Sequence, residues 1–329
     1  ELVKLNLGVR AELTDMLLES QIIKEEVLLP EQEELYRGTL NLIDVLPSIN
    51  LSYKINENDL NITNLRFSLS QSVARPLFRE KAPFSVFDFE IQEQQTGNTD
   101  LTRTKISNFD LRLEKYPNLG EIISASLFYK YFQNPIEQVI ISTASNTEIT
   151  WKNVNQASLL GFEFELKKNL RFISENLKNY NVAINTTLIK SATDIEEDEL
   201  EEILATDLDH PETRPMFGQS PYIINSMINY TNDSIGLSIN ASFNLSGEKL
   251  VLITPGGTPD VYDQPRPSLD LSINYKLSEK INLNMKARNL LDPEYRQIYS
   301  YNNQEYDFQS FNRGRLFSFG ISYNFISEN

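Results

Sequence analysis

Residues Arg315–Phe325 read RLFSFGISYNF. In an extended chain, successive side chains point to opposite sides. Phe317, Phe319, Ile321, Tyr323 and Phe325 therefore share one face, and Ser318, Gly320, Ser322 and Asn324 share the other. One face is oily and aromatic; the other is small and polar. A strand of this kind suits a boundary between hydrocarbon and a polar interior. A soluble sheet can carry one such strand, so the weight lies in repetition.

The pattern recurs along nearly the whole chain. From Val3, the run VKLNLGVRA sets Val3, Leu5, Leu7, Val9 and Ala11 against Lys4, Asn6, Gly8 and Arg10. SINLSYKI sets Ile49, Leu51, Tyr53 and Ile55 against Ser48, Asn50, Ser52 and Lys54. KINLNMKAR is the clearest, with Ile281, Leu283, Met285 and Ala287 outward and Asn282, Asn284, Lys286 and Arg288 inward. Further strands are expected around Leu65–Leu69, Lys105–Lys115, Glu121–Ile141, Asn153–Lys168, Tyr180–Lys190, Ser220–Tyr230, Ser234–Leu245, Pro267–Lys276, Lys280–Tyr301 and Asn312–Phe325. Period-two matching gives about twelve strands. A slip of one residue would turn each polar face into lipid, so register is strongly specified.

The connectors sort by length. Short ones fall at Asn56–Asp59, Pro117–Gly120, Thr231–Asp233 and Leu277–Glu279, with a somewhat longer one at Arg171–Asn179. Long ones are expected at Leu17–Asp44, Leu77–Thr104, Ser191–Phe217 and Gly247–Arg266, and middling ones at Ser142–Trp151 and Asn302–Phe311. Short turns on one side and long loops on the other match an outer-membrane barrel with periplasmic turns and extracellular loops. Tyr53, Tyr230, Tyr275, Tyr323 and Phe325 lie beside the expected short turns or near the C-terminus. They would form a ring at the periplasmic lipid boundary, the depth amphipathic aromatics favour.

Composition agrees and excludes other classes. The 329 residues carry a net charge of -16 and no cysteine, with 18 Phe and 15 Tyr. Mean hydropathy is -0.36, and no apolar run approaches the roughly 18 residues of a spanning helix. Half of each barrel strand is polar, which hides the membrane signature. A disulfide scaffold and a thiolate metal site are ruled out. No basic cluster offers itself to phosphates, so nucleic acid is excluded as a partner. The opening ELVKLNLGVR already reads as a strand rather than an export signal, so the chain is expected to derive from a longer precursor.

Other candidate signals read best as structure. His210 is the only histidine, and it lies in the acidic run DIEEDELEEILATDLDHPE, Asp194–Glu212. One histidine builds neither a metal site nor a catalytic triad, so no enzyme activity and no cofactor are expected. The acidic run, like Glu25, Glu26, Glu31, Glu33 and Glu34, reads as a solvated loop, in part helical. Trp151 is expected near the outer lipid boundary, and Pro255-Gly256-Gly257-Thr258-Pro259 is expected to be a turn. Arg66, Lys130, Glu163, Glu165, Lys286 and Arg288 are expected to face the lumen, where they satisfy a polar interior or line a solute path.

Two sets of motifs carry resemblances. Ser318-x-Gly320-x-x-Tyr323-x-Phe325 resembles the assembly signal read by the barrel-insertion machinery, although Ile326–Asn329 extends past the usual terminal aromatic. An exposed terminal edge ready to pair gives that signal physical sense. In the middle, Arg75–Glu80 reads RPLFRE and Gly97–Leu101 reads GNTDL; Tyr116-Pro117, then Asn134–Glu137 (NPIE) and Ala287–Arg296 (ARNLLDPEYR), follow in order. Together these resemble the barrel of TonB-dependent receptors of the Bacteroidetes type.

The resemblance implies a barrel of about 22 strands. It also implies an N-terminal plug domain inside the barrel and a TonB-contacting segment. Residues 1–329 are then the C-terminal portion of the barrel domain, without the plug. The expected fold class is all-β, an antiparallel transmembrane barrel. Expected partners are the plug and remaining barrel strands, the TonB complex through the missing N-terminus, the insertion machinery, lipid and lipopolysaccharide, and an unidentified scarce solute. The alternative is a self-contained barrel of about twelve strands acting as a pore or anchor. The two differ in whether the first and last strands pair with each other.

Overall fold

The computed structural model describes residues 2–22, 34–58, 61–89, 93–142, 147–205, 208–254, 258–301 and 304–325. Twelve strands form one antiparallel sheet in chain order: Val3–Ile22, Glu34–Asn58, Asn61–Ala74, Thr104–Tyr116, Ile122–Gln133, Gln156–Asn169, Tyr180–Asp194, Tyr222–Asn232, Leu237–Ser246, Ser268–Lys276, Ile281–Arg288 and Leu316–Tyr323. A two-residue strand, Thr213–Arg214, adds to the end of Tyr180–Asp194. The order is a path and not a ring. Among the described residues, Val3–Ile22 pairs only with Glu34–Asn58, and Leu316–Tyr323 only with Ile281–Arg288.

The two faces follow from the alternation. Leu283 lies opposite Tyr275 and Ile321, whereas Asn284 lies opposite Asn274 and Gly320. On the apolar face Leu7, Val9, Phe67, Leu111, Leu127, Phe162, Phe317 and Phe319 are all exposed. A soluble monomer does not present so continuous an apolar surface; a barrel wall in lipid does. Leu283→Arg is therefore expected to block membrane assembly while Asn284→Arg does not. An arginine on the lipid face at mid-membrane depth costs roughly 2–4 kcal/mol. Equal amounts of both variants in outer-membrane fractions would sink this assignment of faces.

The short connectors sit at one end of the sheet, as expected. Two 3-10 turns, Leu170–Phe172 and Glu175–Leu177, are capped by the Asn169 and Ser174 side chains. The turn after Asp233–Ile235 closes on Gly236 with φ 65°. A Cβ there would lie 2.8 Å from the Lys276 carbonyl oxygen, so this position needs glycine twice over. Tyr180 and Tyr230 meet at this end with ring centroids 4.8 Å apart, as do Tyr323 and Phe325.

The opposite end corrects the expected loops. Leu17–Asp44 is strand up to Ile22 and again from Glu34, paired in register through Ile22 and Glu34. Residues 23–33, with Glu25, Glu26, Glu31 and Glu33, lie outside the described residues, as do Pro255-Gly256-Gly257 and Ile326–Asn329. A strand of 20 residues is roughly 65 Å long at about 3.3 Å per residue. It thus projects well past a hydrocarbon core of about 30 Å.

Four of the other expected loops, Leu77–Thr104, Ser142–Trp151, Gly247–Arg266 and Asn302–Phe311, contribute strands to an outer tier of two small sheets. One joins Ser85–Asp88, Glu93–Thr96, Thr147–Asn153 and Ile136–Ser142; the other joins Lys249–Leu252, Val261–Asp263, Tyr295–Tyr301 and Gln304–Phe311. A Val139–Ile253 bridge links them, and buried Ile149, Leu252 and Val261 form a small core between them. Trp151 belongs to this tier, not to a lipid girdle. Two long expected strands are each split between sheet and tier. Glu121–Ile141 breaks at Asn134, with φ 54°, and Lys280–Tyr301 breaks at Asn289 and Asp292, with φ 55° and 50°. Asparagine and aspartate tolerate this left-handed geometry better than other side chains with a Cβ.

Candidate functional site

Two regions collect the chemistry: the polar wall of the large sheet and the outer tier above it. On the wall, cross-strand register assembles rows of polar groups. One row runs Lys54, Asn64, Glu114, Ser124, Glu165, Asn185, Asn225, Asn244, Ser268 across nine strands. The next runs Ser52, Arg66, Arg112, Ser126, Glu163, Thr187. Between them lies a chain of ion pairs. Arg66 Nε donates to Glu114 Oε1 at 2.6 Å, Arg112 Nε to Glu114 Oε2 at 3.2 Å, and an Arg112 terminal nitrogen to Glu165 Oε2 at 2.7 Å. Glu163 accepts from Asn185 Nδ2 at 2.8 Å.

Of the residues expected on a lumen path, Arg66 and Glu165 are joined in this network, and Glu163 sits beside it. Lys130 lies between Asn108 and Leu159 on another part of the wall. Lys286 lies between Ser272 and Ser318, and Arg288 opposite Leu316, both exposed. The structure does not bring these three to the others. Arg112 and Glu114, which connect the network, were not singled out from the sequence. Their signal was present: DLRLEKY places them on the polar side of a strand. Their partners are some fifty positions away in sequence and follow only from register. In the terminal segment, Ser318 and Gly320 lie on the polar face, opposite Lys286 and Asn284.

In the outer tier, the ordered motif residues meet. Leu77 N–H donates to Glu80 Oε2 at 2.8 Å, capping the one-turn helix Phe78–Lys81. Asn98 N–H donates to the Glu80 carbonyl at 2.7 Å, and Asn98 Nδ2 to the Trp151 carbonyl at 2.9 Å. Asn153 Nδ2 reaches the Asn134 carbonyl at 2.8 Å, and Leu101 is buried. Arg75 clamps the projecting hairpin through Glu12 and Thr14, at 2.5 and 2.6 Å. At the other motif, Asn289 Nδ2 donates to the Gly314 carbonyl at 2.7 Å, and Arg315 Nε to the Leu290 carbonyl at 2.9 Å. These motifs therefore hold strands and tier together.

The acidic run is not a free loop. Glu197–Leu204 is a helix, and it is clamped from below. Arg214, only 4% exposed, donates to Glu137 Oε2 at 2.9 Å and also to Glu199. Lys152 donates to Glu199 at 2.9 Å and to Glu196 at 3.1 Å. Burial pushes the Glu137 carboxyl above its ordinary value against the pull of Arg214. For Glu199 the burial effect is outweighed by Arg214 and Lys152, which hold it below the ordinary value. Nearby, burial raises Asp260 to about 6, with one backbone donor, the Thr254 N–H at 3.0 Å. His210 is remote from any such pairing; its Nδ1 lies 2.9 Å from the Pro211 carbonyl oxygen. Among the described residues, no group of three or more His, Cys, Asp or Glu side chains is placed to hold a metal ion.

Residues 2–323 match the outer membrane protein beta-barrel family. No curated protein matches the chain in sequence. Its fold is similar to that of a ferric enterobactin receptor (PfeA) mutant from Pseudomonas aeruginosa, at 17% identity and TM-score 0.58, over 98% of this chain and 52% of that one. It is similar to the ferric yersiniabactin uptake receptor FyuA from Yersinia pestis, at 19% and 0.56, over 89% and 39%. It is similar to the copper transporter OprC, at 15% and 0.61, over 98% and 45%. The chain thus spans about half or less of the length of these solved structures, and identities this low show a shared fold alone.

Proposed function

Because this chain belongs to the outer membrane protein beta-barrel family and resides in the outer membrane, we propose that it is the C-terminal wall of a TonB-dependent active transporter. The observation that carries this reading is the open twelve-strand path. Unpaired backbone groups are expensive in hydrocarbon, and only a closed barrel removes them. The Val3 and Leu316 strands therefore take further strands of the same receptor. The solved structures noted above, about twice as long as this chain, support that completion. The ordered motifs favour a receptor of the Bacteroidetes type.

In this reading a plug domain fills the completed barrel, and extracellular loops and the plug bind a scarce solute. Energy passed through TonB then moves the plug and admits the solute. Arg66, Glu163 and Glu165 belong to the inner wall along that path, with Lys130, Lys286 and Arg288 at separate points on it. Ser318, Gly320, Tyr323 and Phe325 act earlier, as the signal for insertion. The solved receptors are described with ferric enterobactin, ferric yersiniabactin and copper, and no one of these is assigned here.

Purified from outer membranes, the intact receptor is expected to retain its solute, which mass spectrometry can identify. Cells are expected to take up that solute only while the inner membrane holds a proton gradient. Entry at an undiminished rate after uncoupling would favour the self-contained pore instead.

A further inference from the structure

One half of the outer tier repeats the order of the wall beneath it. Its sheet runs Lys249–Leu252, Val261–Asp263, Tyr295–Tyr301, Gln304–Phe311. The wall strands adjoining these in sequence run in the same order: Leu237–Ser246, Ser268–Lys276, Ile281–Arg288, Leu316–Tyr323. Each of these tier strands is thus the outward continuation of a wall strand. Gln304–Phe311 leads into Leu316–Tyr323 through residues 312–315, and this joint is tied across the hairpin by Asn289 Nδ2 on the Gly314 carbonyl and Arg315 Nε on the Leu290 carbonyl. Among the described residues, Gln304–Phe311 pairs only with Tyr295–Tyr301, and Leu316–Tyr323 only with Ile281–Arg288. The open edge of the wall therefore runs on past the lipid as an open edge of the tier.

This edge is built to be paired. Gln304–Phe311 is eight residues long, and every one of them is exposed. Tyr306 and Phe311 stack on Tyr299 and Tyr295 of the neighbouring strand, while Phe308, in a bulge, has no ring partner among the described residues. The strand carries no lysine and no proline, two of the residues that blunt a free edge. Its carboxylates, Glu305 and Asp307, are drawn to Arg296 of the neighbouring strand. The strand at the opposite end of the tier, Ser85–Asp88, has only four residues, and so short an edge offers little to pair with. A long, aromatic, open edge is the kind to which a further strand adds.

We propose that Gln304–Phe311 pairs outside the membrane with the extracellular extension of the receptor's own first barrel strand, so that the closing seam continues into the outer tier. The inference rests on the proposed function, which supplies that strand. Continuity selects this occupant. The strand that completes the Leu316–Tyr323 edge leaves the lipid beside Gln304–Phe311, at a spacing of about 4.8 Å. It therefore reaches the tier edge at a high effective concentration, ahead of a second copy or a separate protein. Open backbone groups can be hydrated there, so covering Tyr306 and Phe308 supplies the gain rather than relief from hydrocarbon. Such length is normal for this wall. A strand following both edges would match Gln304 to Tyr323, comparable to the 20 residues of Val3–Ile22 and shorter than the 25 of Glu34–Asn58.

Photocrosslinking of the intact receptor in outer membranes tests this, with p-benzoylphenylalanine in place of Phe308 in one variant and of Phe317 in another. Phe317 lies on the wall strand and reports the seam within the membrane. The expected result is that both join the first barrel strand of the same molecule, Phe308 at a residue farther outward than Phe317. Amide exchange on the unsubstituted receptor gives an independent reading. Gln304–Phe311 should exchange as slowly as Tyr295–Tyr301, whereas an open edge would leave about every second amide fast. If Phe317 joins the first strand while Phe308 joins only residues 1–329, a second copy, a separate protein or nothing, the tier proposal is overturned and the transporter reading stands. Fast exchange across Gln304–Phe311 overturns it likewise. A Phe317 variant that joins no strand upstream of Val3 overturns both.

Discussion

Replacing Arg214 by methionine is expected to release the helix Glu197–Leu204 from the outer tier. Asp194–Glu212 should become readily cleaved by protease, while the heat-modifiable gel shift of the folded barrel persists. Arg214 is 4% exposed and Glu137 2%, and the two share a direct hydrogen bond. Removing the cation leaves Glu137 buried without its partner and strips Glu199 of its main one. Breaking a buried pair from one side costs roughly 3–5 kcal/mol, because the surviving charge stays desolvated. Arg214→Lys is expected to recover only part of the loss, since an ammonium cannot reach both carboxylates in a planar fork. The cluster is already short of partners: Glu137 Oε1, Arg214 Nε and Thr193 Oγ1 have none in the structure. Unchanged protease resistance in the methionine variant would show that other contacts hold the helix.

Among the described glycines, Gly97→Ala is expected to be the most damaging substitution to alanine. A Cβ at Gly97 would sit 2.1 Å from the Ala82 carbonyl oxygen and 2.8 Å from that of Arg79. Both are backbone atoms, so no side chain can swing away. The neighbouring Asn98 N–H is bonded to the Glu80 carbonyl at 2.7 Å, which fixes the two segments together. Overpacking typically costs about 1–3 kcal/mol and occasionally more, and a backbone collision belongs at the upper end. Gly320→Ala is the matched control for stability, read on the inserted fraction because Gly320 also belongs to the proposed insertion signal: its nearest neighbour, Asn284 Cβ, is 3.9 Å away, an ordinary contact. The midpoint of the heat-modifiable transition should fall by several degrees for Gly97→Ala and stay within about a degree for Gly320→Ala, since a surface change is usually worth under 0.5 kcal/mol. Equal midpoints would mean that the Gly97 segment can move aside.

Both positions lie where reading by periodicity ended. Gly97 belongs to a motif visible in the sequence, but its packing against Ala82 is a contact between two irregular segments. Arg214 stood in an acidic surrounding that looked solvated, because Glu196, Glu197, Asp198 and Glu199 are adjacent in sequence. A helix sorts them: Glu199 turns toward Arg214 and Lys152, while Glu197 and Asp198 stay exposed.

Local alternation is enough to specify the membrane sheet. Period-two alternation names the face of each residue without knowledge of its partners, since a strand in lipid has one apolar and one polar environment. The twelve strands, their order, the short turns and the polar placement of Arg66, Glu163, Glu165 and Lys286 all follow from that rule. The outer tier and the network on the wall depend instead on contacts between segments far apart in the chain. In the projecting hairpin the inner side packs on the tier, burying Leu40 and Leu46, while Leu13 and Ile43 remain exposed on the other side. With apolar residues on both faces the alternation fades, and strand reads as loop. The breaks at Asn134 and Asn289 were equally hidden, because a single left-handed residue redirects a chain without disturbing the composition around it. The ion-pair chain from Arg66 to Glu165 needs three strand registers at once, which no local pattern contains.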